Sequence, residues 1–260
     1  AALGGAFVLK DDFASALLAW RAGIPERTGF AREAAGLFLT RSRKPARTKT
    51  HGAARFFALL DEQAPTDLHA CFPVRPDEEA RARTMLAGLP EPRIILAPST
   101  TRPEKDWPSG HCRNLIARLA RRGFATILVG GPGECARHAT MYREPDITPA
   151  GRLLDLTGQT SLGELAALLK QVDLVVACDS GPMHLAAAVG APLVALFGQT
   201  DPERSGPLDP GATIIRATTP CAPCLARHCG STAACMDSID PERVETEVLA
   251  RLGRDMKKPD

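Results

Sequence analysis

The stretch DLVVACDSGPMHLAAAVGAPLVALFG, Asp173 to Gly198, decides the fold. Its two apolar runs, DLVVACD and PLVALFG, are short, rich in Val and Leu, and continuous enough to be strands buried on both faces. Between them a Ser-Gly-Pro corner opens a helix of small residues from Pro182 to Val189. Strand, helix and second strand together form a βαβ unit, whose strands are parallel. The corner itself has two readings. Asp179 or Ser180 caps the helix and His184 lies partly buried beside it, because helix N-caps favour such residues. Alternatively the corner is a socket for a charged ligand, because a helix N-terminus presents backbone N–H groups and about half a positive charge.

The pattern continues on both sides. RIILAPS reads as a buried strand, SGHCRNLIARLARRG as a helix ending at Gly123, and FATILVGGP as the next strand. A helix around Glu134 to Tyr142, a short LLDLTG and the helix SLGELAALLKQ follow. In that helix Ser161 and Glu164 form a capping-box signature. Apolar strands alternating with helices imply a doubly wound, Rossmann-like α/β domain over residues 91–260.

Residues 1–90 carry less of this pattern. AFVLKD reads as a strand, FASALLAWRAG and HGAARFFALLDEQ as helices, and FPVRPDEEARARTMLAGLPEPR as a helix flanked by prolines. A Pro-bounded junction at Leu89 to Arg93 marks the expected domain boundary. The first part, short and strand-poor, is expected to be a partial domain.

Composition narrows the function classes. A net charge of +2 and sparse aromatic residues, 5% of the chain, argue against nucleic acid as a partner. No apolar run reaches the roughly 20 residues that span a bilayer. AALGGAFVLKDDF lacks a basic segment before an apolar core and does not read as a signal peptide. Four of the eight cysteines are scattered singly, so a reducing cytosolic setting is expected.

In open parallel sheets ligands sit beyond the carboxyl ends of the strands. Three loops at that edge have chemistry suited to an anion. STTRPEKDWP supplies Ser99, Thr100, Thr101 and Lys105; GPGE supplies Gly131 and Glu134; SGPMH supplies Ser180, Gly181 and His184, with Asp179 just before it. Gly181 allows close backbone approach, and Pro182 suits the first helical position. The chain has no G-x-G-x-x-G, no Gly-Lys-Ser/Thr ending after GPGE, no G-x-S-x-G and no H-E-x-x-H. A nucleoside-diphosphate site of another kind remains.

These segments resemble glycosyltransferase family 9, the bacterial heptosyltransferases. The resemblance is carried by PSTTRPEKDWP, VGGPGE, LTGQTSLGELAALLKQVDLVVACDSGPMHLAAAVGAPLVALFGQTDP and the cysteine-bearing tail, with FASALLAWRAGIPERTGF similar to the family's N-terminal half. It implies a GT-B-like α/β fold of two Rossmann-like domains, the N-terminal one incomplete here. It implies transfer of heptose from ADP-heptose to the lipopolysaccharide inner core with inversion, in the cytoplasm or at the inner face of the inner membrane. By motif match Ser99, Thr100, Thr101, Lys105, Ser180 and Gly181 face the diphosphate, Asp179 and His184 lie at the same edge, and Gly131 and Glu134 lie near the nucleoside. No metal is needed for transfer. The family's base is an Asp in a Gly-Asp loop after the first strand; this sequence contains no such segment, and the base is expected upstream of the chain, about half a domain away. Asp11 and Asp12 are not given that role.

Two features stand outside the donor loops. Cys221, Cys224, Cys229 and Cys235, spaced C-x2-C-x4-C-x5-C, could hold a structural zinc ion, with His228 as a substitute ligand, or less readily an iron–sulfur cluster, or remain thiols or disulfides. RSRKPARTK, residues 41–49, reads as a solvated basic loop or as a contact for phosphorylated core or anionic lipid. Two rivals to a transferase are a sugar-nucleotide epimerase, which would isomerise donor without acceptor, and a truncated donor-binding module, which would bind nucleotide without turnover.

Overall fold

The computed structural model describes residues 3–44, 51–141, 151–224 and 235–253. The chain divides into two compact units, residues 1–68 with 203–205, and residues 69–202 with 206–260.

The first unit contains strand β1 (Gly5–Val8), helix α1 (Phe13–Arg21), β2 (Glu26–Phe30) and β3 (Arg41–Arg43), which pair as a parallel sheet in the order β1-β2-β3. The Asp12 carboxylate caps α1 by accepting from the Ser15 N–H at 2.8 Å, and Gly23 (φ 71°) follows its end. Val8, Ala16 and Ala35 form a small core. Three strands are more than sequence periodicity suggests. ERTGF and RSR have no apolar alternation and are held by backbone pairing with β1 and with each other. Part of the expected basic loop is therefore β3, and the guanidinium groups of Arg41 and Arg43 both pair with Asp61. Residues 45–50 lie outside the described residues. HGAARFFALLDEQ forms a short 3-10 helix, Ala54–Leu59, rather than an α-helix; two residues on, Asp61 is left-handed (φ 58°).

The second unit is a six-stranded parallel sheet in the order β6-β5-β4-β7-β8-β9. Its elements are helix α2 (Pro76–Met85), β4 (Arg93–Ala97), α3 (Ser109–Arg121), β5 (Ala125–Leu128), α4 (Cys135–Met141), β6 (Leu153–Asp155), α5 (Leu162–Lys170), β7 (Leu174–Cys178), α6 (Gly181–Ala188) and β8 (Leu193–Phe197). The single turn α7 (Pro202–Ser205), whose last three residues group with the first unit, precedes β9 (Thr213–Arg216) and α8 (Pro241–Arg251). This is the doubly wound strand order of a Rossmann fold, with the chain reversing direction across the sheet between β4 and β7.

The continuous apolar strands are explained by burial on both faces. Along β4 and β7, Ile95, Ala97, Val175 and Ala177 face one core with α2, α5 and α6. Ile94, Leu96, Leu174 and Val176 face the other with α3, α8 and Trp107. The capping box of α5 forms as expected: the Glu164 N–H donates to Ser161 Oγ at 3.2 Å, and the Ser161 N–H donates to Glu164 Oε2 at 2.8 Å. Gly123 (φ 88°) terminates α3 in the left-handed conformation.

Helix α2 belongs to this unit, so the compact division falls at residues 68/69 rather than near 90. Ala82 and Leu86 enter the core beside α5, and Arg81–Glu164 (3.0 Å) and Lys170–Glu79 (2.9 Å) tie the two helices. On the opposite face Glu245 of α8 is buried against Arg118 of α3 and Arg122 just past its end, each guanidinium Nε lying 2.6 Å from a carboxylate oxygen. The Trp107 indole N–H donates to the Ile239 carbonyl at 2.9 Å and fixes the end of the loop after β4. No helix among the described residues is long and apolar enough to cross a membrane.

Candidate functional site

The strand order locates the site before any side chain is considered. After β4 the chain turns toward β5, and after β7 it turns toward β8, so the two following loops diverge and leave a crevice at the carboxyl edge. A cavity of about 440 Å³ occupies this place. It is lined by Ser99, Thr100, Thr101, Arg102 and Lys105 after β4, by Gly131 and Glu134 after β5, and by Asp179, Ser180, Gly181, Pro182 and His184 after β7. Its size is that of a small-molecule site. All ten residues singled out at this edge from the sequence converge on it.

The loop after β4 is braced from within. The Asp106 carboxylate accepts from the Thr100 N–H at 2.6 Å and pairs with Arg137, whose Nη2 donates to the Thr100 carbonyl at 3.1 Å. Burial pushes Asp106 above its ordinary value, against the Thr100 N–H and the Arg137 charge. The Trp107 N–H donates to the Pro98 carbonyl at 2.9 Å and closes the loop. A short 3-10 turn, Pro103–Lys105, then points Lys105 back across the crevice.

Lys105 Nζ lies 2.7 Å from Asp179 Oδ2 and donates to the Asp179 main-chain carbonyl at 2.7 Å. Both side chains are largely buried, so Lys105 is a fixed charge of the cavity rather than a solvated one. The other Asp179 oxygen lies 4.0 Å from His184 Nε2, and the His184 side chain is half exposed. Ser180 occupies the N-cap of α6 without capping it: its hydroxyl donates to the Cys178 carbonyl at 3.1 Å. The capping explanation for Ser180 therefore fails, and Asp179 is engaged with Lys105. Gly181 has open space where a Cβ would stand, which leaves the first turn of α6 approachable.

At the other end, Glu134 Oε2 accepts from the Gly131 N–H at 2.7 Å, shaping the turn that leads into α4. Beneath it His138, wholly buried, joins Ser99 and Thr157: Nε2 is 2.8 Å from Ser99 Oγ and Nδ1 is 2.7 Å from Thr157 Oγ1. Burial lowers the His138 value below its ordinary range, against the nearby charges of Asp155 and Glu134. Arg102, Arg137, His138 and Thr157 were not anticipated from sequence. The available signal was the i, i+4 spacing of Glu134 and His138, which puts both on one face of the turn and helix.

The structure places the expected metal ligands only in part. Cys221 and Cys224 are exposed, while Cys235 is buried, close to Gly198. Cys229 and His228 lie outside the described residues. Among the described residues no group of three or more His, Cys, Asp or Glu side chains is arranged to hold a metal ion.

Arrayed together, a fixed ammonium, several hydroxyls and the approachable start of a helix are chemistry for a phosphorylated ligand. Comparison with known proteins agrees in fold and family. The chain is 32% identical over 230 residues to lipooligosaccharide heptosyltransferase 2 of Haemophilus influenzae, covering 81% of this chain and 65% of that protein. It is 28% identical over 226 residues to lipopolysaccharide heptosyltransferase 2 of Escherichia coli K12, again covering 65% of the relative. The chain thus spans just under two thirds of the length of these relatives. Among solved structures, E. coli ADP-heptose lps heptosyltransferase II superposes with a TM-score of 0.77 at 27% identity, over 96% of this chain and 76% of that one. A glycosyl transferase family 9 protein from Veillonella parvula gives 0.79 at 21% identity, over 97% and 74%. The fold is therefore the GT-B-like α/β architecture of these enzymes. With the family's pattern running through residues 5–234, the chain belongs to glycosyltransferase family 9, the heptosyltransferases.

Proposed function

We propose that the chain acts in transfer of heptose from ADP-heptose to the lipopolysaccharide inner core, with inversion, at the cytoplasmic face of the inner membrane. The observation that carries this reading is the convergence of Lys105, the Ser99–Thr101 hydroxyls and the start of α6 on one crevice at the reversal point of the sheet. In such a transfer the bond from the sugar to the diphosphate breaks, and negative charge builds on the departing oxygen. Lys105 and the dipole of α6 stabilise that charge without rearranging at the moment of reaction. Gly131 and Glu134, which line the same cavity, are assigned to the nucleoside. The nucleotide assignment is supported by the shared fold of E. coli heptosyltransferase WaaC, solved with ADP and with ADP-2-deoxy-2-fluoro heptose.

Inversion also needs a group to take the proton of the attacking hydroxyl. Neither early aspartate is suited to that. Asp12 caps α1 and pairs with Lys10 at 2.7 Å, and Asp11 lies 3.6 Å from both Arg32 and Arg55. A structural zinc ion at Cys221, Cys224, Cys229 and Cys235 is a further part of the proposal, tested by metal content before and after chelation.

The test of transfer is incubation with ADP-heptose and lipopolysaccharide lacking the outer of its inner-core heptoses, followed by mass spectrometry. Gain of one heptose on the acceptor and release of ADP are expected. Isomerised ADP-heptose in the absence of acceptor would contradict the reading.

A further inference from the structure

We propose that His138 is a positioning residue for the ligand of this cavity: held between Thr157 and Ser99, it turns the Ser99 hydroxyl hydrogen toward a bound phosphate oxygen. The proposal rests on the diphosphate reading given above.

Three segments meet at this point. Ser99 follows β4 and lines the cavity, His138 lies in α4, and Thr157 follows β6. The imidazole is wholly buried, and both ring nitrogens are at hydrogen-bond distance from a hydroxyl, 2.8 Å to Ser99 and 2.7 Å to Thr157. A neutral imidazole has one donor and one acceptor nitrogen, so the chain of three groups runs in one of two directions. In the first, Thr157 donates to Nδ1, Nε2–H donates to Ser99 Oγ, and the Ser99 hydrogen is left for the cavity. In the second, Ser99 donates to Nε2 and Nδ1–H donates to Thr157, which turns the Ser99 lone pairs toward the cavity. A phosphate oxygen is attracted by the first arrangement and repelled by the second. Binding of an anion therefore selects the Nε2–H tautomer.

The surroundings fit an orienting role better than activation of Ser99 as a nucleophile. Among the described residues both ring nitrogens meet hydroxyls rather than a carboxylate, and burial favours the neutral ring. The backbone on the cavity side is already fixed, because Thr100 is clamped at its N–H by Asp106 and at its carbonyl by Arg137. Rotation of the Ser99 hydroxyl is the freedom left for His138 to remove. Gly130 makes the arrangement possible: a Cβ there would stand 2.9 Å from His138 Cε1 and 2.5 Å from Glu134 Oε2.

The experiment is calorimetric titration of ADP into the wild-type chain and into Ser99→Ala, His138→Phe and the double variant. Each single change is expected to weaken binding about tenfold, the effect of one hydrogen bond to a charged group. The double variant is expected to bind no more weakly than Ser99→Ala, because His138 acts through that hydroxyl. Wild-type affinity in His138→Phe, or losses that multiply in the double variant, would overturn the proposal. Should His138→Phe not fold, 15N NMR of the wild-type imidazole serves instead. The proposal expects a neutral ring protonated on Nε2 with ADP bound, and a ring protonated on Nδ1 or on both nitrogens would overturn it. A wild-type chain that binds no ADP overturns the diphosphate reading and this proposal with it, whereas affinity that survives His138→Phe overturns this proposal alone.

Discussion

Lys105 holds Asp179 by two atoms at once, its ammonium lying 2.7 Å from the carboxylate and 2.7 Å from the main-chain carbonyl of the same residue. The loop after β4 is thereby fastened to the end of β7 across the crevice. Removing one partner of a buried pair leaves the other charged and poorly solvated, at a cost of about 3 kcal/mol or more. Lys105→Met and Asp179→Asn are each expected to lower the denaturation midpoint. The double variant should regain most of that stability, because no lone charge remains buried. It should not regain ADP binding, which requires the ammonium. Recovery of both together would mean that Lys105 serves packing alone.

Two glycines separate ligand access from packing. A Cβ on Gly181 meets nothing within 4 Å, whereas one on Gly198 would stand 2.6 Å from Cys235 Sγ and 2.7 Å from Met236 Sδ. Gly181→Ala is expected to melt like the wild type yet bind ADP at least several-fold more weakly, because its methyl occupies the approach to α6. Gly198→Ala is expected to lose about 1–3 kcal/mol through overpacking. Thermal denaturation alongside calorimetry distinguishes these outcomes.

The buried carboxylate of Glu245 makes the fold acid-sensitive. Burial pushes its value up, but the Arg122 and Arg118 guanidinium groups outweigh that and hold it below the ordinary 4.5. The native state therefore binds fewer protons than the unfolded chain at this group. Its contribution is fully present above about pH 4.5 and is lost as pH falls through the lower folded value. Glu245→Gln should cost about 3 kcal/mol at pH 7, and the difference should shrink as the pH falls below 4.5 toward the lower folded value. A constant difference between the two proteins across that range would contradict this assignment.

Much of the second unit was legible because its strands are buried on both faces. RIILA, LVVAC and LVALF need no partner information to be read as strands, and glycine-bounded helices between them force parallel crossovers. The site followed from the same logic, since ligands collect at the carboxyl edge. Elements whose pairing is imposed by neighbours were not legible. β2, with sequence ERTGF, and β3, RSR, carry no alternation, and their ladders are satisfied by β1 and by each other. The α8 helix did have a signal, Asp240 and Pro241 at its start with Val244, Val248 and Leu249 on one face, which the broader pattern obscured. His138 was the least legible, because its role depends on Ser99 and Thr157, which meet it from separate loops.

The diphosphate assignment is tested most directly by comparing ADP with AMP in the wild-type chain and in Lys105→Met. The two ligands share the nucleoside and differ in the second phosphate. ADP should bind at least tenfold more tightly than AMP to the wild type, about 1.4 kcal/mol, and Lys105→Met should abolish most of that difference. Equal affinity of the wild-type chain for ADP and AMP would contradict a crevice built for a diphosphate.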